Sequence, residues 1–425
     1  MVQNLRSVLS LLIGMAFLML GSGALTTLIS LRMGDAGFSS TTLGWIMAAY
    51  FLGVSLGPIY THRLIAGIGH IRAFAAFGSV MSAAALAHPF WVDPWFWAGL
   101  RFVQSFCLVG MYMCTESWLN EKTENRFRGE MLAVYQVTIF LFQGGAQFLL
   151  NLPDETGFGL FILTSVLVSL AVVPIVMTRV PAPQLPKPVR LNLRELYRIS
   201  PTGMFGSAVA GALLGAIYGL GPFFAQQVGL DVAATTRFMG AVIIGGLLFQ
   251  WPIGKFSDRI DRRIVILVIS LATFIVCLAI MNKTAANGLG LLALGMLFGG
   301  ISFALYPVCV AYTNDYAEPD QIVPVSAGLL VAYGIGAPLG PLGSSWLMDL
   351  VGPPGLFGFC GLITLAFAIL TAVRMLKREA LPVDEQTDFQ PVPRTSPMVT
   401  ELDPRADPEA EPETEPEAEP EAVAD

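Results

Sequence analysis

The stretch Gly254-Lys-Phe-Ser-Asp-Arg-Ile-Asp-Arg-Arg263 lies between two long apolar runs and decides how the chain is interpreted. A glycine comes four residues before Asp258, and an Arg-Arg pair stands where the second run begins. Glycine lets neighbouring helices approach closely, and an anion such as Asp258 is stabilised by a helix N-terminus. Each flanking run is about 20 residues long, enough to cross about 30 Å of hydrocarbon as a helix. The stretch therefore predicts a short connection between two transmembrane helices.

The composition of the whole chain supports a membrane protein. Hydrophobic residues make up 54% of its 425 residues and charged residues 13%, whereas soluble domains are about 25% charged. Such a chain has too few polar residues to cover a soluble surface. The apolar residues form blocks of about 20 rather than short alternating strands, which disfavours a transmembrane β-barrel.

Apolar windows along the chain predict an all-α membrane protein with twelve transmembrane helices. The predicted spans are 8–31, 43–62, 71–89, 95–118, 129–151, 158–177, 203–226, 236–253, 264–282, 288–312, 323–347 and 355–376. Four parts follow from these spans: a six-helix bundle over 1–177, a proline-containing linker over 178–202, a second six-helix bundle over 203–378, and an acidic tail over 379–425. We expect the tail to be disordered, because it has little to bury and strong self-repulsion.

The distribution of basic residues predicts the orientation. With the N-terminus in the cytoplasm, eighteen Lys and Arg residues lie on the inner side and three on the outer side. Positive charge is concentrated in cytoplasmic loops. Both termini are therefore expected to be cytoplasmic. Because the basic charge sits in short loops between apolar runs, it does not indicate a nucleic-acid partner.

The two halves of the chain resemble one another at an offset of about 192–194 residues. Trp118-Leu-Asn-Glu121 aligns with Tyr312-Thr-Asn-Asp315, and the loop after the second span aligns with the 254–263 stretch. Two six-helix repeats in the same membrane sense suit a transporter that rocks around a site at the membrane midplane.

The 254–263 stretch resembles the signature loop of the major facilitator superfamily, G-x-x-x-D-R/K-x-G-R/K-R/K, with Asp261 in place of the second glycine. The residue pattern along the whole chain is similar to that of the YcaD-like bacterial branch, for example at Gln250-Trp-Pro-Ile-Gly-Lys255. The resemblance implies two pseudo-symmetric bundles and a lock between them that favours the outward-open state. Its residues are Gly254, Asp258, Arg259, Arg262 and Arg263, with Arg126 and Arg128 as expected partners of the aspartate. The alternative is that these basic residues only anchor orientation.

Ionisable and polar residues within the spans are the candidates for substrate binding and coupling, because such residues are costly in a membrane. They are Arg101, Gln104, Tyr112, Glu116, Tyr218 and Tyr306. In proton-coupled members of the family, the arginine at the position of Arg101 is implicated in coupling; the alternative is an arginine that satisfies carbonyls between helices. Glu116 is either a gating or proton-accepting carboxylate, or an interfacial acid. The tyrosines suit an amphipathic or aromatic ligand.

Several classes of function are disfavoured by what the sequence lacks. It has no phosphate-binding G-x-x-x-x-G-K-[ST] loop, so ATP drive is not expected. It has no H-E-x-x-H motif and only three scattered histidines, so no metal site is expected. No nucleophile–base pair indicates an enzyme, and no cofactor is implied.

We therefore expect a secondary transporter in a bacterial inner membrane that moves a small organic solute by alternating access. Proton coupling is expected because the chain encodes no other energy source, and export is slightly favoured over uptake. One alternative is uptake of an organic anion with Arg101 as the counter-charge. Another is a non-transporting receptor or scaffold that uses the acidic tail for docking. The sequence does not address the oligomeric state.

Overall fold

The computed structural model describes residues 2–177, 183, 193–282, 288–318, 321–377 and 379–403. These residues contain fourteen α-helices. The helices are α1 Val2–Asp35, α2 Ser40–Ile68, α3 His70–Ala87, α4 Pro94–Lys122, α5 Arg128–Ala146, α6 Gly159–Val176, α7 Leu193–Ile199, α8 Pro201–Gln227, α9 Val232–Ser257, α10 Arg262–Asn282, α11 Gly288–Phe303, α12 Leu305–Asn314, α13 Ile322–Val351 and α14 Gly355–Met375.

Eleven helical segments in the described residues are long and apolar enough to cross a membrane, with α11 and α12 counted as one segment. The protein is thus a multi-pass membrane protein. A helix lies at each predicted span, but α4 is not among the eleven. It has 29 residues, and Arg101, Gln104 and Glu116 lower its apolar character. The count by length and composition is therefore eleven, against twelve predicted.

The helices of the two halves pack in the same scheme. In the first half, α1 packs on α5 and α6, α2 packs on α4, and α3 packs on α4 and α6. In the second half, α8 packs on α13 and α14, α9 packs on α11, and α10 packs on α11 and α14. Counted from the first long helix of each half, these are the same pairs of positions. Of the predicted linker, residue 183 and α7 are described and the other residues up to 192 lie outside the described part.

The interface between α8 and α13 depends on glycine. A Cβ at Gly211 or Gly215 would overlap a backbone carbonyl of α13, and a Cβ at Gly336 or Gly340 would overlap one of α8. Small residues at such positions let two helix backbones approach closely, which is how membrane helices gain packing energy without a hydrophobic driving force. These four glycines therefore fix α13 against α8.

The two halves meet along α2 and α13 and along α5 and α9, and they also meet directly at one end of the bundle. We call the end that carries the 258–262 turn the motif end, and the opposite one the far end. At the far end, Gln226 donates to Asp35 at 2.7 Å. Nearer the middle, Ser30 donates to the carbonyl of Gly219 at 3.1 Å. Asn151 lies 3.2 Å from Thr236, and Thr41 donates to Asp349. These contacts close the far end.

The chain after α14 departs from the expected disorder. Residues 381–403 return to the motif end, where Phe389, Val399 and Leu402 are almost fully buried. The reason is that the predicted acidic tail has two unlike parts. Nine of its fifteen acidic residues lie beyond residue 403, in the part outside the described residues, whereas the apolar side chains lie before it and can be buried.

Candidate functional site

A cavity of about 120 Å³ lies between the two halves. Tyr50 of α2 and Tyr112 of α4 line it from the first half, and Tyr218 of α8 and Tyr333 of α13 from the second. The other residues that line it are Thr26, Phe51, Val54, Leu108, Gln136, Ile139, Phe140, Gln143, Leu214, Pro393, Arg394 and Thr395. The volume is below the roughly 300 Å³ at the lower end for small-molecule sites, because the chain after α14 fills part of the space.

Arg101 lies beside this cavity, buried at 1% exposure. Its guanidinium donates to Gln104 at 3.2 Å and to Thr26 at 3.1 Å. Its Cζ lies 4.0 Å from the ring centroid of Tyr50. Within the described residues no carboxylate lies at ion-pair distance from it, and its Nε has no hydrogen-bond partner. The cation is thus held by a ring and two neutral oxygens, which separate it from the cavity.

Glu116 lies towards the motif end and is completely buried. Tyr135 of α5 donates to its Oε1 at 2.9 Å. The hydroxyls of Thr395 and Ser396, from the chain after α14, donate to its two carboxylate oxygens. This placement differs from that of an interfacial acid in water, which was the alternative expectation. The carboxyl group is thus surrounded by three hydroxyls.

The three tyrosines of the prediction occupy different positions. Tyr112 donates to the sulfur of Met19 at 3.4 Å, and Tyr218 donates to Gln143 at 3.4 Å. Both line the cavity. Tyr306 is 1% exposed and packs edge-to-face on Tyr333 with ring centroids 5.2 Å apart. It therefore supports a cavity wall rather than forming one.

The signature loop forms an ion-pair network at the motif end. Arg262 donates to Asp258 at 2.6 Å, and its other terminal nitrogen pairs with Asp315, which follows α12. Lys255 lies 3.3 Å from Asp258. Because Arg262 is 1% exposed, two carboxylates on different elements share one buried cation. The network joins the turn before α10 to the end of α12, both in the second half.

The other residues of the predicted lock are engaged locally. Arg263 pairs with Asp261 at 2.7 Å, so the aspartate that replaces the usual glycine binds the first turn of α10. Arg259 is exposed. Arg126 pairs with Glu124 at 2.9 Å on the surface. Asp258 therefore contacts neither Arg126 nor Arg128 in this conformation, whose far end is closed; the lock was expected for the outward-open state and stays a prediction.

Tyr50 and Tyr333 line the cavity without having been among the six candidates, and three further site residues, Arg394, Thr395 and Ser396, lie after α14, where the sequence gave no candidate. The guanidinium of Arg394 lies 5.1 Å from the ring centroid of Phe303 and 5.8 Å from that of Phe140. The signal that could have found them is the composition of 389–402, which holds five large apolar residues and three prolines beside few charges, unlike the Glu-Pro repeats that follow.

Comparison with known proteins agrees with the geometry. A model described as Major Facilitator Superfamily matches residues 11–248 and, in a second alignment, residues 203–402. An uncharacterized MFS-type transporter of Enterobacter sp. (strain 638) is 28% identical over 81% of this chain and 89% of its own length. The uncharacterized MFS-type transporter YcaD of Escherichia fergusonii is 26% identical over the same shares.

Solved structures show the same fold. The crystal structure of the nucleoside transporter NupG superposes with a TM-score of 0.71 over 88% of this chain and all of its own, at 15% identity. At that identity the likeness concerns the arrangement of helices and leaves the cargo open.

Proposed function

Because the chain belongs to the major facilitator superfamily and resembles its YcaD-like branch, we propose that this transporter moves a small organic solute by alternating access across a bacterial inner membrane. The observation that carries the proposal is the cavity lined by Tyr50 and Tyr112 from one half and Tyr218 and Tyr333 from the other. A site between two repeats is the arrangement that rocking of one half against the other exposes to each side in turn.

The proposed topology has twelve spans with both termini in the cytoplasm. Helix α4, added to the eleven apolar segments, brings the number of spans to twelve, because its 29 residues exceed the length needed to cross the bilayer. The motif end then faces the cytoplasm and the far end faces outwards, in line with the excess of Lys and Arg at the motif end. Residues 1–177 and 203–378 act as the two moving bundles, and the closed far end makes this conformation inward-facing.

The cavity favours a solute that is weakly charged and partly aromatic or apolar. Among the described residues up to the end of α14, four tyrosines and two glutamines line the cavity, and no Asp, Glu, Lys or Arg does. Aromatic rings bind apolar faces and cations, while their hydroxyls and the amides donate and accept hydrogen bonds. A highly charged solute would be left without counter-charges, which is costly at a desolvated site.

Protons are the proposed coupling ion, and Glu116 is the group proposed to carry them. It is buried and contacts hydroxyls of Tyr135, Thr395 and Ser396. A carboxyl without a cation partner can bind and release a proton as the motif end opens and closes. Arg101 and Gln104 are proposed to position Tyr50 and Thr26 at the cavity wall. The alternative role for Arg101, as the counter-charge of an imported anion, is less favoured because Tyr50 and Thr26 lie between it and the cavity.

The proposal is tested by finding a solute and measuring its flux. A thermal-shift screen of the purified protein against metabolites and drugs selects ligands by their binding to the folded state. Flux of a selected ligand is then measured in proteoliposomes with and without a pH gradient. We expect the gradient to drive accumulation and Glu116→Gln to abolish that drive while exchange without a gradient persists. Flux that is equal with and without the gradient contradicts proton coupling, and the direction of accumulation separates export from uptake.

A further inference from the structure

The segment after α14, residues 386–403, which we call the tail segment, enters the opening between the two halves at the motif end. Gln386 donates to the carbonyl of Ile260 at 3.3 Å. Thr387 donates to Asp315 through its backbone N–H at 3.0 Å and its hydroxyl at 2.9 Å. The backbone N–H of Phe389 donates to Asp258 at 3.0 Å. The tail segment thus binds both carboxylates that share Arg262.

The tail segment also binds the first half. Thr395 and Ser396 donate to Glu116 of α4. One turn further along α4, Asn120 donates to Glu401 at 3.2 Å. The same segment therefore bridges the halves through α4 on one side and the 258–262 turn on the other.

Packing adds to these hydrogen bonds. Phe389 is 1% exposed and lies against Gly254, where a Cβ would overlap its ring. Val392, Met398, Val399 and Leu402 are buried as well. Each such side chain stabilises the docked segment by removing apolar surface from water. Burial on this scale separates the tail segment from a chain end that only rests on a surface.

Arg394 is the part of the tail segment that reaches the cavity. Its guanidinium lies near the rings of Phe140 of α5 and Phe303 of α11, one from each half. Within the described residues no carboxylate pairs with it. The cation occupies the position where a solute would contact both halves.

We propose that the tail segment is an intramolecular plug that occupies the cavity with Arg394 and prevents the motif end from closing. Closure requires α4 and α5 to approach the 258–262 turn, and the tail segment fills that space. It also occupies the surfaces of the predicted lock: Phe389 covers Gly254 and binds Asp258, and Gln390 lies 3.3 Å from where a Cβ on Gly129 would be. The plug and the closed lock therefore exclude one another. The effect on rocking rests on the proposed function, whereas occupancy of the cavity does not.

Two cysteine reporters in the purified full-length chain test both parts. Ile139→Cys places a thiol on the cavity wall, and Ser345→Cys places one at the far end, where Ser345 packs against Gly44. The five native cysteines are buried, and the chain without a reporter gives the background rate. The probe is a water-soluble maleimide. Into each reporter we introduce Phe389→Ala with Arg394→Ala to weaken the plug, or Asp384→Asn, an exposed residue of the same chain end, as the matched control.

We expect the double substitution to speed labelling of Ile139→Cys about tenfold or more, since it removes a buried aromatic ring and the cavity cation. Asp384→Asn leaves the rate unchanged. A synthetic peptide of residues 386–403 slows labelling of the weakened protein again, and a scrambled peptide does not. An unchanged rate in the double variant, with its unfolding temperature preserved, overturns the proposal, as does equal protection by the scrambled peptide.

Ser345→Cys reports whether the plug restrains rocking. We expect faster labelling at the far end when the plug is weakened, because the halves can then sample the outward-open state. Faster labelling of Ile139→Cys with no labelling of Ser345→Cys under any condition would support occupancy of the cavity and contradict alternating access. The two failures are thus distinguishable.

Discussion

The guanidinium carbon of Arg101 lies 4.0 Å from the centroid of the Tyr50 ring, which joins α4 to α2 inside the first half. Two hydrogen bonds, to Gln104 and Thr26, complete its surroundings. A cation over an aromatic face is attracted by the ring quadrupole, and the attraction is stronger when water is excluded. Tyr50 also lines the cavity, so a membrane-embedded charge fixes one wall of the site.

Replacing the ring should therefore destabilise the protein. We expect Tyr50→Leu to lower the free energy of unfolding by about 2 kcal/mol, the value of a desolvated cation–π contact. Tyr50→Phe keeps the ring and should stay within about 1 kcal/mol of the parent. Equilibrium unfolding in mixed micelles measures both. Equal losses for leucine and phenylalanine would show that the hydroxyl, rather than the ring, holds Arg101.

Arg262 should contribute more to stability than any other residue of the signature loop. Arg262→Met leaves Asp258 and Asp315 without their shared cation, and breaking a buried pair costs about 3–5 kcal/mol. Arg259→Met is the matched control, because Arg259 is exposed in the same turn and such changes stay within about 0.5 kcal/mol. Unfolding of both variants is measured under the same conditions. Similar stability of the two variants would mean that the ion pairs of Arg262 with Asp258 and Asp315 do not stabilise the purified protein.

Much of the helical layout could be predicted from the sequence, because apolar length alone places helices in a membrane. The prediction and the structure differ at two places, α4 and the chain after α14, where an average over the segment hides residues of different character. Helix α4 carries Arg101 and Glu116 and is therefore not apolar enough on average to be counted as a span, although both side chains are buried inside the protein. The average composition of residues 379–425 is acidic and predicts disorder, although residues 386–403 differ in composition from those after 403.

The site was less accessible to prediction, because its geometry depends on contacts between distant parts of the chain. Tyr112 and Tyr218 were expected at the cavity and line it. Tyr306 was expected with them, but the period of a helix does not say whether a side chain faces the cavity or the wall behind it. The contacts of Glu116 with Thr395 and Ser396 span about 280 residues and have no signal in local pattern. Asp261 replaces the family glycine and binds Arg263, a contact that the motif itself does not indicate.

The predicted lock is tested by a neutral substitution at Asp258. Asp258→Asn keeps an oxygen for the N–H of Phe389 and removes the charge, and the pair with Arg262 lies within one half and is lost in both states. We expect labelling of Ser345→Cys at the far end to fall about threefold, the effect of one partly exposed ion pair that favours the outward-open state. Asp261→Asn is the matched control, because Asp261 pairs with Arg263 instead. If the two substitutions have the same effect, Asp258 has no special role in the lock.

Docking of the tail segment should depend on pH through Glu401, which lies outside the spans. Burial raises the pKa of its carboxyl from 4.5 to about 7, and the positive charge of Arg128 partly opposes the shift. A raised pKa means that the docked form binds the proton more tightly than the free form. Docking is therefore strongest below pH 4.5, weakens as the pH rises from there to about 7, and stays weak above that value.

The measurement is the labelling rate of Ile139→Cys at each pH from about 5 to 8. The rate with Glu401 intact is divided by the rate of the same reporter carrying Glu401→Gln. Thiol reactivity changes with pH in both proteins alike, so the ratio of the two rates isolates Glu401. We expect the ratio to be lowest at the acidic end, to rise severalfold up to about pH 7 and to level off above it, because the glutamine stays neutral and keeps its contact with Asn120. A flat ratio would place the carboxyl of Glu401 in water, and the tail segment would then be anchored by Phe389, Thr395 and Ser396 without it.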